Sequence, residues 1–395
     1  MAAYDSYKDS GVKWLGTIPS HWELRKIKFT FDEKSVKGFP NEPLLAATQK
    51  YGVIKKEDYE SRTVEAIKGR ESLKLVEKDD FVISLRSFQG GIERSYERGI
   101  ISTAYTILRP THITPEYFKY LGKSPQFIKL LQSMVTGIRE GQNIDYSRLK
   151  NEYIAIPPLA KQEAIVAYLD KVTGKIDRAI EVQQQMIDAL NERIQIIISR
   201  AVTKGLNPDV PLRDSGIDWL GQIPEHWEIE QARFNVEIFH GSDPKTSGDI
   251  PVYGSGSESF KSCGEFKQGP TVLLGRKGSI KTPQYIEGKY WNVDTAFDVK
   301  PIKMNLRFYF FLSKCFDYDL YITSTAVPSM TQWNYKHMQI PVPPRSEQQA
   351  IVEYIDTATA DLTKQVENCK RMIELLTERK QIIINQVVTG KEKVI

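Results

Sequence analysis

Residues 9–23 read DSGVKWLGTIPSHWE, and residues 214–228 read DSGIDWLGQIPEHWE. Laid over one another, 9–29 and 214–234 agree at 12 of 21 positions, among them two tryptophans, two glycines and a proline. A second likeness follows. IPPLAKQEAIVAYLDKVTGKID from Ile156 corresponds to VPPRSEQQAIVEYIDTATADLT from Val342, and LNERIQIIISRAVT (190–203) to LTERKQIIINQVVT (376–389). A chain that writes its frame twice is expected to fold as two related copies. The blocks enclosed by the frame, 30–153 and 235–339, show no comparable likeness. The frame repeats and its contents differ, a pattern suited to two different readers on one symmetric scaffold.

The long shared segments read as helices. After each Pro-Pro pair, which ends the preceding strand, about 44 residues follow without a proline. Seam positions recur in steps of three and four at Ile165, Leu169, Val172, Ile176, Ile180, Gln183, Ile187, Leu190, Ile194, Ile197 and Ala201, all apolar but Gln183. The second copy has Ile351, Ile355, Ala358, Leu362, Val366, Cys369, Ile373, Leu376, Ile383 and Val387. This is the seam of a coiled coil, with two consecutive four-residue steps (Ile176 to Ile180, Leu362 to Val366) marking a stutter. Forty residues at 1.5 Å each give a rod of roughly 60 Å. We expect the two rods to pair antiparallel with one variable block at each end. Ile196 and Ile198, and Ile382 and Ile384, exceed what a two-stranded pair buries, so partner helices are expected to cover them. Each WLGxIPxHWE strap is expected to wedge either against a rod or over the core of its own block. Neither His21 nor His226 has a cysteine or carboxylate cluster that would make it catalytic.

The expected fold class is α+β, with two mixed α/β domains joined by two long antiparallel coiled-coil helices in a pseudo-twofold arrangement. The expected boundaries are 1–155 for the first domain with its strap, 156–205 for the first helical spacer, 206–341 for the second domain with its strap, and 342–395 for the second spacer. At 395 residues the chain has room for such domains, each with its own core. No apolar run approaches the roughly 18 residues of a membrane span, and the polar start MAAYDSYKDSG does not read as a signal peptide. Three widely spaced cysteines build neither a disulfide framework nor a zinc site. A cytoplasmic location is the expectation. Net charge is only +4. Residues 1–160 hold 25 basic against 20 acidic side chains, and 205–344 hold 14 against 16. A nucleic-acid binder would therefore have to work with local basic patches.

Within the blocks, 79–110 and 269–301 alternate apolar residues with turn glycines, as strands do. Residues 114–134 read as two short helices with Pro115 and Pro125 near their starts, and 305–315 as another. Each block closes with a polar loop, 135–150 and 323–338. These loops offer hydrogen bonding rather than acid–base chemistry. Arg86, Ser87 and Gln89 sit in LRSFQGG, Arg139, Gln142 and Asn143 in GIREGQN, and Arg276, Lys277, Ser279 and Lys281 in GRKGSIK. Arg and Lys match the acceptors of guanine, Gln and Asn match the edge of adenine, and backbone at glycines can approach phosphate. Arg94, Gln284, Ser329 and Gln332 complete the set of candidate DNA contacts. The competing reading of each is an ordinary polar loop tip.

Enzyme signatures are missing: there is no phosphate-binding G-x-x-x-x-G-K-[ST], no Asn/Asp-Pro-Pro-Tyr/Phe, and no histidine pair at metal spacing. Taken in order, WLGxIPxHWE twice, SLRSFQGGI…STAYTILRP, GRKGSI…WNVDTAF, IPPLAKQEAIVAYLD and VPPRSEQQAIVEYID, the sequence resembles the specificity subunits of type I restriction–modification systems over nearly its whole length. KQEAI stands in the first helix where the second has EQQAI, a departure that touches a contact at the helix start. The resemblance implies a non-catalytic DNA-binding subunit with two target-recognition domains. Each would read one half of a bipartite, asymmetric site in double-stranded DNA. It implies two methyltransferase subunits as partners and, through them, an ATP-dependent translocating endonuclease. S-adenosylmethionine, ATP and Mg would be held by those partners and none by this chain. Left open beside it are a coiled-coil tether or orphan DNA-binding protein without partners, and an enzyme with an unrecognised methyltransferase or nuclease centre.

Overall fold

The computed structural model describes residues 3–59, 69–136, 143–322 and 327–394. The chain divides into two compact units, Met1–Val182 with Met372–Ile395, and Gln183–Arg371. The division falls inside both long helices, Leu159–Lys204 and Arg345–Val388. Each unit thus contains the beginning of one helix and the end of the other. In the first unit Ile165, Leu169 and Ile176 share a core with Ile383, Ile384, Val387 and Val388. In the second, Ile198, Ala201 and Val202 share a core with Ile351, Val352 and Ile355. Beginning packs on end in both, the pairing of antiparallel helices. Of the extra isoleucines, Ile198 and Ile384 are buried while Ile196 and Ile382 are exposed.

The strap is more regular than its composition suggests. Tyr7–Asp9 pairs with Thr17–Pro19, and Leu212–Asp214 with Gln222–Pro224, as short antiparallel ribbons. The repeated letters encode the turn between them. Asp9 Oδ1 accepts the Gly11 N–H at 3.0 Å and Ser10 Oγ the Val12 N–H at 3.1 Å; Asp214 and Ser215 repeat both bonds at the same lengths. Such side-chain turns favour Asp and Ser. Gly11, Gly16, Gly216 and Gly221 all lie at φ between +63° and +70°, where a Cβ is strained.

The strap also settles on both of its expected supports. Trp14 meets Phe127 edge-on at 5.8 Å, and Trp219 meets Phe316 at 5.7 Å, inside the variable blocks. Trp22 and Trp227, each about 1% exposed, lie against Gly390 and Gly205 at the ends of long helices, where an added Cβ would come within 3.1 and 3.3 Å of the indole rings.

Each block is entered and left at one place, because Glu23–Lys26 pairs with Tyr153–Ile156 and Glu228–Gln231 with Gln339–Val342. Between them lie antiparallel four-stranded sheets of the same order. These are Phe31–Lys34, Thr106–Pro110, Phe81–Ile83 and Glu93–Arg94 in the first unit, and Val236–His240, Ala296–Pro301, Thr271–Gly275 and Gln284–Ile286 in the second. Short helices cover them. Pro115–Leu121 and Pro125–Ser133 start at Thr114 and Ser124, whose side chains cap the first turn, and Leu306–Ser313 starts at Asn305 in the same way. Phe118 packs at 4.5 Å from Phe31 and 4.7 Å from Phe81. The polar loops contain short helices too, Tyr146–Leu149 capped by Asp145 and Gln332–His337 capped by Thr331. Their caps are Asp and Thr, which sequence reading assigned to loop.

The long helices anchor the blocks through repeated polar residues. Gln162 accepts the Thr114 N–H at 2.9 Å and donates to the Pro157 carbonyl at 2.9 Å. Gln348 accepts the Asn305 N–H at 2.7 Å and donates to the Pro343 carbonyl at 2.8 Å. Asp170 takes Lys119 Nζ at 2.8 Å, and its counterpart Asp356 takes Arg307 through two bonds of 3.0 and 2.7 Å. The KQEAI departure has a visible consequence. Glu347 accepts from the Trp227 indole at 3.1 Å and pairs with His226 at 2.9 Å. Lys161 stands in its place in the first unit, and the Trp22 indole N–H is buried with no hydrogen-bond partner among the described residues.

Candidate nucleic-acid interface

In the second unit, the loop leaving strand Thr271–Gly275 is stitched to the segment before helix Gln332–His337. The Met330 N–H donates to the Arg276 carbonyl at 3.0 Å and the Gly278 N–H to the Pro328 carbonyl at 2.9 Å, with Lys277 and Ser329 facing each other in a bridge. Around this seam is a cavity of about 370 Å³ lined by His240, Arg276, Lys277, Ser329, Gln332 and Trp333, among others. Lys277 is exposed and makes no ion pair among the described residues. Trp333, 66% exposed, stacks on His337 at 4.1 Å and 20°. An exposed indole beside a free ammonium can stack on a base and neutralise a phosphate.

The other candidates of this unit divide by their commitments. Arg276 donates to Asp294 at 3.1 Å and Lys281 to Asp319 at 2.6 Å, both on the surface. Ser279 is exposed. Gln332 donates to the Ile238 carbonyl at 2.7 Å. Gln284 is buried and donates to the carbonyls of Gly254, at 3.1 Å, and Gly256. Its amide fastens the neighbouring hairpin.

In the first unit, Arg86, Ser87 and Gln89 share one turn. Ser87 is buried, its Oγ accepting the Ser84 N–H at 2.9 Å, so it shapes the turn that leaves Arg86 and Gln89 exposed. SFQG is a four-residue helix, Ser87–Gly90, ended by Gly91 at φ +89°. An added Cβ there would lie 2.3 Å from the Gly122 carbonyl, so only glycine fits. Arg94 is separate from this turn. It lies in the edge strand with a side chain 10% exposed, paired with Asp79 at 2.6 Å and Glu116 at 2.7 Å. Asn143 is exposed at the start of strand Asn143–Ile144. Arg139 and Gln142 lie outside the described residues.

Glu93, next to Arg94, is buried with Lys123 Nζ 2.6 Å away. Burial pushes its carboxyl up to about 7, against the pull of Lys123. Burial pushes the Cys315 thiol up to about 11, which disfavours its thiolate. Among the described residues no group of three His, Cys, Asp or Glu side chains could hold a metal ion. Sequence reading missed Trp333 and the aromatic–lysine pairs Lys50 on Tyr51 at 4.8 Å, Lys261 on Phe260 at 5.4 Å and Lys289 on Phe266 at 4.6 Å. For Lys50–Tyr51 and Phe260–Lys261 the only signal is an aromatic next to a lysine in a polar stretch, too common to single out, and Lys289 meets Phe266 only through the fold.

A duplicated frame that presents unlike sets of guanidinium, ammonium, amide and aromatic groups suits a recognition protein. Residues 19–191 and 229–369 match the type I restriction modification DNA specificity domain, and the chain belongs to that family, the non-catalytic DNA-recognition subunits of type I restriction–modification systems. It is 22% identical to a putative type I restriction enzyme MjaX specificity subunit of Methanocaldococcus jannaschii, over 98% of each chain. It is 24% identical to the MjaVIII specificity subunit of the same organism, over 75% of each. A chain from a structure describing complex assembly and conformational transition of the type I R-M system has the same fold. It matches with a TM-score of 0.62 at 14% identity, over 94% of this chain and 98% of that one. Among the described residues no helix is long and apolar enough to cross a membrane.

Proposed function

We propose that the two recognition blocks each read one half of a bipartite, asymmetric site in double-stranded DNA, and that the long helices set the spacer between the halves. One observation carries this reading. Equivalent sheets and equivalent straps recur in both units, while the loops at the same strand ends carry Arg86 and Gln89 in one and Arg276, Lys277 and Ser279 in the other. Readers with unlike side chains on a like frame suit unlike half-sites.

The same reading assigns the chemistry to partners. Two methyltransferase subunits using S-adenosylmethionine would dock on the helices, and the ATP- and Mg-dependent endonuclease would join through them. Support comes from exposed apolar residues at matching helix positions, Met186 and Ile196 in the second unit and Met372 and Ile382 in the first. A side chain exposed at the same place in both copies suits two copies of one partner.

The test is exchange of residues 30–153 for the corresponding block of a relative with a different target, followed by methylome sequencing of cells that also carry the methyltransferase. One half of the methylated motif is expected to change and the other to persist. A change in both halves would refute the modular reading.

A further inference from the structure

Beside each recognition loop stands a hairpin that the sequence gives no reason to pair with its counterpart. In the first unit it is Leu45–Thr48 with Gly52–Lys55, and in the second Ile250–Tyr253 with Ser259–Cys263. The surroundings establish the equivalence. Leu44 bridges Ile100 in parallel, and strand Gly99–Ile101 pairs on its far side with Lys74–Val76. Val252 pairs with Trp291 in parallel, and strand Lys289–Asn292 pairs on its far side with Lys267–Gln268.

Both hairpin tips touch the recognition loop. A Cβ on Gly90 would lie 2.8 Å from the Gln49 side chain, and one on Gly278 would lie 3.5 Å from Ser255 Oγ. Thr282 donates to the Ser255 carbonyl at 3.2 Å.

Both tips are also held by buried polar groups at one sheet position. Glu93 lies opposite Val82, and Gln284 opposite Leu273, in edge strands of matching sheets. The Gln284 amide holds the tip directly, through the Gly254 and Gly256 carbonyls. Glu93 does so through Lys123, whose Nζ donates to the Gln49 carbonyl at 2.8 Å. Two unrelated solutions fix one backbone feature.

What each hairpin presents is an aromatic ring with a lysine over its face, Lys50 on Tyr51 in the turn of the first and Lys261 on Phe260 in strand Ser259–Cys263 of the second, with the rings 50% and 59% exposed. Burying such a ring at home would be favourable, and both copies leave it in water beside the recognition loop. Ammonium and ring together match a phosphate and the sugar or base next to it.

We propose that this hairpin is a second DNA-contacting element in each unit, gripping the backbone through Lys50 and Tyr51 in the first and through Phe260 and Lys261 in the second. The inference rests on the DNA-reading function proposed above. The complex of the full chain with its methyltransferase is titrated onto a labelled duplex over a series of KCl concentrations. Lys50→Ala with Lys261→Ala is expected to reduce the slope of log affinity against log salt by about 1.8, at roughly 0.9 per phosphate contact. Tyr51→Ala or Phe260→Ala is expected to weaken binding about tenfold, and the methylated sequence stays as in the wild type. Circular dichroism and the thermal midpoint confirm folding. Lys277→Ala in the recognition loop serves as the comparison. If it weakens binding while the hairpin variants keep the wild-type slope and affinity, the hairpin proposal is overturned and the DNA-reading function stands. If no variant matters and the complex prefers no sequence, both fall.

Discussion

Glu93 shows how a single side chain can couple a recognition domain to pH. Around it lie Lys123, Arg94, Lys119, Tyr120, Tyr51 and Lys50 from its own block, and Asp177 and Lys380 from the long helices. Asp170 pairs with Lys119, while Asp79 and Glu116 hold Arg94. Its carboxyl, raised by burial from 4.5 to about 7, keeps a proton in the folded chain that the unfolded chain has released. Stability therefore falls as pH rises from about 4.5 through 7 and stays lost above it, by on the order of 3 kcal/mol. Glu93→Gln puts in this place the amide that the second unit carries as Gln284. Relative to wild type, it is expected to raise the thermal midpoint more at pH 8 than at pH 5. Equal differences at the two values would show that Glu93 does not titrate in this window.

Among the elements, the strap gives the most direct test of packing. Gly390 lies at φ +72°, and a Cβ there would come within 2.4 Å of Pro19 Cδ. Gly390→Ala is thus both strained and obstructed, and it should cost about 2–3 kcal/mol. Gly11→Ala meets the same sign of φ, +65°, with nothing within 4 Å, and should cost only about 1 kcal/mol. Denaturant midpoints for the two variants measure the contrast; equal losses would mean that the strap does not wedge against the helix end. Strap and helix end recur together, Pro19 and Trp22 at Gly390, Pro224 and Trp227 at Gly205. This is the physical reason one phrase is written twice.

For the whole molecule, the consequence to test is the spacer. Under the proposed reading, inserting seven residues, two turns, into each long helix lengthens the ruler by about 10 Å. The methylated motif should keep both half-sites and change the number of unread base pairs between them. An unchanged spacer would remove the helices from that role.

The sequence determined the duplication, the long helices and their seam, the strap, and the short helices begun by Thr114-Pro115 and Ser124-Pro125. All are local or periodic signals, written in residues close together along the chain. It also offered as candidates the loop holding Arg86 and Gln89 and the one holding Arg276, Lys277 and Ser279, because guanidinium, amide and glycine in a short polar run are visible without a fold. Only the tertiary structure decided how those groups are committed. Arg94 and Gln284 carry the side-chain types that read bases, yet they are tied down by Asp79, Glu116 and two backbone carbonyls that lie far off in sequence or across a turn. It alone showed that each unit takes the start of one helix and the end of the other, since an amphipathic stripe states that a face must be covered and not by what. It alone placed the Lys50 and Phe260 hairpins beside the recognition loops, through bonds from Lys123 and Gln284 that no local pattern announces.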